Sequence, residues 1–209
     1  MKTLNELMIE SDKADWGHNY CIHYEKWFEP LRNESITLLE LGIGGEDTQL
    51  GGASLKGWSK YFSNAIIAGI DIYDKSELDT ARIQTFKGSQ DDEVFLNQVV
   101  KELGGFEICI DDASHISSLT IKSFEILFPL LNSGGLYFIE DLHTTFRGGF
   151  EGSHNLDSLK SKTILNYLFR IVQELNLPHI GISGYTYNPL FKDIESIHFY
   201  PELVVIKKK

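Results

Sequence analysis

Basic residues are scarce in this chain. Its 209 residues include 19 lysines and arginines against 30 aspartates and glutamates, a formal net charge of −11. Without a stripe of cations to neutralise phosphates, nucleic acid and anionic membrane surfaces are poor partners. The single basic run is Lys207-Lys208-Lys209 at the end. Cysteine is as sparse: Cys21 and Cys109 allow one bridge at most, and Cys109 sits in an apolar run, so a disulfide framework is excluded and a reducing, cytoplasmic setting fits. No window approaches the roughly 20 apolar residues of a membrane span, and Met1–Glu10 lacks the apolar core of an export signal. There is no internal repeat, low-complexity segment or Pro/Ser-rich linker, and the length suits one core.

From residue 36 onward, short β-branched and aromatic runs alternate with longer segments of helical period, the pattern of a parallel sheet covered on both faces. Strands are expected at Thr37–Leu41, Ala65–Ile70, Arg82–Lys87, Phe106–Ile110 and Leu136–Ile139. Crossover helices are expected at Glu93–Glu102, where Phe95 and Val99 share a face, and at Ser117–Leu131, where Phe124, Leu127 and Leu131 recur. A further helix is expected over Leu159–Leu175, and Ile180–Tyr187 with Ile197–Ile206 predict an antiparallel hairpin about Asn188-Pro189. The chain thus reads as a helical N-terminal extension, residues 1–35, before one α/β globular unit, residues 36–209.

Chemistry gathers at the ends of these runs. Asp111-Asp112-Ala113-Ser114-His115 follows one expected strand and Glu140-Asp141 follows another. If those strands are neighbours, about 4.8 Å apart, three or four carboxylates and an imidazole meet at one sheet edge. Carboxylates repel one another unless a hard cation or shared protons intervene, which points to Mg²⁺ or a similar ion with His115 beside it. For either pair alone, an acid that ends a strand and caps the next helix is the simpler reading. Extended backbone turns Asp111 and Asp112 to opposite faces, so Asp111 is assigned to the cofactor side. His143, two residues beyond Asp141, is a second candidate for proton transfer, with a structural hydrogen bond as its alternative.

Leu38-Leu39-Glu40-Leu41-Gly42-Ile43-Gly44-Gly45 sets a buried strand before a glycine turn that allows close approach by a nucleotide-like ligand. A dinucleotide fingerprint would place its third glycine at position 47, where the chain has Asp47. Acids at Glu40, Glu46 and Asp47 disfavour a pyrophosphate and tolerate a cation such as a sulfonium. Asp71 follows the second strand, where a carboxylate accepts ribose hydroxyls, and Ser89-Gln90-Asp91 follows the third, with polar groups suited to an adenine edge or to a helix cap. The order of the three features is the order one adenosyl ligand requires.

These motifs, together with Ser11-Asp12-Lys13, Gly51-Gly52-Ala53-Ser54-Leu55, Asp74-Lys75-Ser76 and Gly134-Gly135-Leu136-Tyr137, resemble the class I S-adenosylmethionine-dependent methyltransferases, in particular the metal-dependent macrolide sugar O-methyltransferases of the mycinamicin and demethylmacrocin type. The resemblance implies a Rossmann-like, seven-stranded, mostly parallel sheet with one antiparallel strand. It implies S-adenosylmethionine over the glycine turn, with Glu40, Gly42, Gly44, Ser54, Asp71, Ser89, Gln90 and Asp91 as its contacts. It further implies Mg²⁺ held by Asp112, Glu140 and Asp141, and His115 as the general base. The expected activity is methyl transfer to a sugar hydroxyl of a glycosylated natural product or surface glycan. The partner is then a small-molecule or glycan acceptor, with neither nucleic acid nor membrane insertion; a homo-oligomer is compatible. The alternatives are a non-catalytic adenosyl-ligand-binding or assembly subunit and a cephalosporin-hydroxylase-like relative with another activity.

Overall fold

The structure is a computed structural model, described here for residues 2–45, 49–154, 162–177 and 184–209. Seven strands form one sheet: β1 (Thr37–Leu41), β2 (Ile66–Asp71), β3 (Ile83–Lys87), β4 (Ile108–Asp111), β5 (Leu136–Ile139), β6 (Ile194–Tyr200) and β7 (Leu203–Lys208). Their spatial order is β3-β2-β1-β4-β5-β7-β6. The first five run parallel, and β7 lies antiparallel to both β5 and β6, so a single strand opposes the rest, as expected. The order reverses at β1, between β2 and β4, which opens a crevice at the carboxyl ends of those strands.

Side-chain alternation divides the core into two layers. Leu38, Ile110 and Phe138 face a layer that α1 (Leu4–Leu7), α2 (Cys21–Phe28) and α3 (Ala53–Tyr61) complete with Leu4, Tyr24, Phe28 and Trp58. Leu39, Leu41, Cys109, Tyr137 and Ile139 face the opposite layer. There α4 (Glu93–Leu103), α5 (Ser117–Leu130) and α6 (Ile164–Asn176) supply Leu96, Phe124, Leu127, Leu168 and Ile171. Residues 2–35 therefore pack into the same core as the sheet. The helix α4 begins where Asp92 accepts from Phe95 N and ends at the left-handed Gly104, a cap at each end.

The expected strand and helix positions through residue 139 match within a residue or two. The C-terminal hairpin differs. It turns at Pro201-Glu202 inside the run expected to be a single strand, while Asn188 caps a short 3-10 helix, Pro189–Asp193. Asn-Pro supplies a side-chain cap and a fixed φ, which start a helical turn as readily as a reverse turn. Of the expected first strand, Ile180 lies outside the described residues, as do Glu46, Asp47 and the beginning of the helix expected from Leu159; Tyr185 and Tyr187 lie in no strand.

Candidate active site

A cavity of about 510 Å³ occupies the crevice. Gly42, Gly44, Asp71, Ser89, Gln90, Asp112, His115 and Asp141 are among its walls, so most of the residues singled out from the sequence border one space. Gly42 has φ +75°, and a Cβ there would stand 2.3 Å from the Asp112 carbonyl oxygen; this glycine lets β1 and β4 close on each other. Gly44, at φ +67°, has open space where a side chain would be, on the cavity side of the turn.

The cavity-facing polar groups are fixed from behind. Asp71 accepts from Ile43 N at 3.3 Å and from Tyr73 N at 3.0 Å, which leaves each carboxylate oxygen a further lone pair. Gln90 is 7% exposed, and its Oε1 accepts from Ser114 N at 3.1 Å. Its Nε2 is buried with no hydrogen-bond partner among the described residues. A buried donor without an acceptor is costly unless a ligand supplies one.

At the far end of the cavity, His115 Nε2 lies 3.5 Å from Asp141 Oδ2 and 4.0 Å from Asp112 Oδ1. One ligand atom from each of these three residues falls within 4.8 Å of the others. His115 and Asp141 both adopt left-handed backbone, φ 56° and 54°, which side chains with a Cβ rarely take. The buried Thr144 hydroxyl holds that geometry, donating to the Asp141 carbonyl at 2.7 Å and lying 3.5 Å from that of His115. Tyr20 OH donates to Asp141 Oδ1 at 2.7 Å.

Several placements differ from the sequence expectation. Asp111 and Asp112 do part to opposite faces, but it is Asp112 that borders the cavity. Asp111 shares its face with Cys109, is 2% exposed, and accepts hydrogen bonds from Ser123 and Tyr137 in the helical layer, so its assignment to the cofactor is withdrawn. Burial lifts its carboxyl to about 7. Glu40 is also fully buried, accepting from Ser54 Oγ at 2.9 Å and Trp58 Nε1 at 3.0 Å beneath the glycine turn; neither it nor Ser54 lines this cavity. Asp91 lies outside the wall and accepts from the hydroxyl of Ser89, which is part of it. His143 also lies outside it, with Nδ1 3.4 Å from Glu202 Oε2.

Glu140 differs as well. Its carboxylate is engaged by Tyr24 OH and by Lys13, whose Nζ lies 2.8 Å from both oxygens. Lys13 is 1% exposed and also meets Asp112 Oδ2 at 2.5 Å and Glu40 Oε1 at 3.4 Å. Burial alone would lower the pKa of this ammonium, but Asp112, Glu140 and Glu40 raise it well above the ordinary value. One cation among three acids cannot neutralise them all: burial raises Glu40 to about 7 against the pull of Lys13. The sequence reading quoted Lys13 within a motif and gave it no role. The available signal was that acids converging at a buried edge need a counter-charge. Lys75 was missed likewise; it is 3% exposed and donates to the carbonyls of Gly45 and Gln49, tying down the glycine turn.

No protein-family model matches the chain. It is 37% identical over 206 residues to the 8-demethyl-8-alpha-L-rhamnosyl tetracenomycin-C 2'-O-methyltransferase of Streptomyces olivaceus, covering 97% of this chain and 54% of that protein. Demethylmacrocin O-methyltransferase of Streptomyces fradiae is 37% identical over 210 residues, with coverage of 98% and 53%. A solved structure of the MycE methyltransferase of mycinamycin biosynthesis, in complex with Mg, SAH and mycinamycin VI, superposes with a TM-score of 0.89 at 33% identity, over 99% of this chain and 54% of that one. The chain spans about half the length of the curated relatives it matches. In sequence and in fold, this chain has the class I methyltransferase architecture and resembles O-methyltransferases of natural-product biosynthesis, among them one solved with Mg and SAH.

Proposed function

We propose that the chain transfers a methyl group from S-adenosylmethionine to a sugar hydroxyl of a glycosylated natural product, with Mg²⁺ at the acceptor end of the cavity. The observation that carries this reading is a single cavity with an unsatisfied buried amide, Gln90 Nε2, at one end and the Asp112–His115–Asp141 group at the other. Gln90 would donate to an adenine nitrogen while Ser114 N holds its carbonyl, and Asp71 would accept from the ribose hydroxyls through the lone pairs that Ile43 and Tyr73 leave free. The donor set at the other end, hard carboxylate oxygens with an imidazole beside them, fits a divalent cation. Asp112 and Asp141 would hold it; Glu140 would join them only by exchanging its Lys13 partner. A cation held there would supply Lewis acidity, lowering the pKa of an acceptor hydroxyl.

Methyl transfer from a sulfonium depends mainly on alignment, so the chain's task is positioning plus the removal of one proton. His115 would take that proton at Nε2, the ring nitrogen that faces Asp141 and Asp112. The left-handed turn held by Thr144 keeps Asp141 aimed at the imidazole. Calorimetry in the presence of a chelator tests the donor assignment: one equivalent of S-adenosylhomocysteine should bind, and NAD should not. Binding of NAD in preference, or of neither, would remove the adenosyl reading.

A further inference from the structure

Asp141 presents its two carboxylate oxygens to two different groups. Oδ2 faces His115, while Oδ1 faces His18 Nδ1 at 3.6 Å. His18 Nδ1 in turn lies 3.2 Å from Glu202 Oε2, and one ligand atom from each of His18, Asp141 and Glu202 falls within 4.8 Å of the others. The three come from separate parts of the chain: the loop before α2, the end of β5, and the turn between β6 and β7, where Glu202 takes a left-handed φ of 60°. Main-chain bonding fixes two of them together, since Leu142 N donates to the Glu202 carbonyl at 2.9 Å. Tyr20 OH reaches Asp141 Oδ1 and stacks its ring on that of His18 at 5.1 Å, which holds the imidazole in place.

From this geometry we propose a second divalent-cation site at His18, Asp141 and Glu202, joined to the acceptor-end site through the Asp141 carboxylate. The proposal rests on the first site only for that adjacency. Ligands placed about 2.0–2.1 Å from a tetrahedral metal stand about 3.3–3.4 Å from one another. The His18–Glu202 and His18–Asp141 separations bracket that value. Two carboxylates balance a dication, and an imidazole nitrogen among the ligands selects a first-row transition metal over Mg²⁺, which prefers oxygen throughout. A second imidazole stands by: His143 Nδ1 is 3.4 Å from the same Glu202 oxygen and is buried with no hydrogen-bond partner among the described residues. His18 and Glu202 remain partly exposed, so an ion can enter from solvent and complete its shell with water. A carboxylate that joins two cations in this way is the arrangement of two-metal sites.

The test uses Co²⁺ titrated into the metal-stripped chain, read by calorimetric stoichiometry and by the paramagnetically shifted imidazole N–H signals in proton NMR. The wild type should take two equivalents. Glu202→Gln and His18→Asn, both at partly exposed positions, should each take one, and His18→Asn should lose one shifted N–H signal. Asp112→Asn should also take one equivalent while keeping the His18 signal, which separates the two sites. A wild-type stoichiometry of one that Asp112→Asn abolishes would overturn the second site and leave the first. A stoichiometry unchanged in both Glu202→Gln and His18→Asn would show His18 and Glu202 to be an ordinary ion pair and would likewise overturn it.

Discussion

Replacing Lys13 by methionine probes the buried edge most sharply. The ammonium is 1% exposed and lies 2.5 Å from Asp112 Oδ2, 2.8 Å from Glu140 and 3.4 Å from Glu40. Methionine fills a similar volume without the charge, so the change leaves the buried Glu40 and Glu140 and the half-buried Asp112 without their cation. Breaking a buried ion pair by removing one partner destabilises by about 3–5 kcal/mol. For a chain of this size each kcal/mol shifts Tm by about 2–4 °C, so Lys13→Met should melt about 6–20 °C lower. The acids offset part of this by keeping protons, as the raised Glu40 carboxyl indicates, so the loss should be larger at pH 8 than at pH 6. Thermal unfolding followed by circular dichroism, with chelator present so that no metal replaces the ammonium, measures both values. Adding Glu140→Gln to Lys13→Met should restore part of the loss, because one orphaned charge disappears. A Lys13→Met Tm within about 2 °C of wild type at pH 8 would refute the reasoning, since that shift corresponds to no more than about 1 kcal/mol.

Three further outcomes follow. His115→Ala should lower kcat by about 10²–10⁴ while leaving S-adenosylhomocysteine affinity intact, as measured by saturation kinetics beside calorimetry; near-wild-type turnover would remove His115 as the base. Asp71→Ala should weaken S-adenosylhomocysteine binding by about 1.5–3 kcal/mol, the range for hydrogen bonds to a charged group, and an unchanged isotherm would contradict the ribose assignment. Asp111 keeps its proton to about pH 7 when folded against 3.8 ordinarily, so the folded state binds the extra proton between those values. Its stabilising effect is full below the lower value and lost as the pH rises to the higher one, so Asp111→Asn should melt above wild type at pH 8, with the gap closing toward pH 5.

Strand ends were legible because period-2 and period-3.6 patterning fixes where each element stops, and the acids stand at or just beyond them: Asp71 closing β2, Asp112 after β4, Asp141 after β5. Side-chain direction at those ends was not. Asp111 and Asp112 were known to diverge, yet which face held the ligand depended on where α5 places Ser123, a contact 12 residues away. Glu140 was grouped with Asp141 because they are adjacent, whereas beyond the end of β5 the backbone turns left-handed at Asp141 and Glu140 meets Lys13. That partner is 127 residues distant, beyond the reach of any local pattern. The rings of Tyr20 and Tyr24 are in the core, and only the fold reveals that their hydroxyls end on Asp141 and Glu140.

The activity proposed for the crevice is metal-dependent methyl transfer to a sugar. Transfer of label from methyl-labelled S-adenosylmethionine to a panel of rhamnosylated polyketides, run with Mg²⁺, with chelator, and with Mg²⁺ restored, tests it most directly. The account predicts labelled acceptor with Mg²⁺, its loss on chelation and its return on restoration. Equal labelling with and without chelator, or no labelling of any acceptor by chain saturated with donor and Mg²⁺, would contradict it.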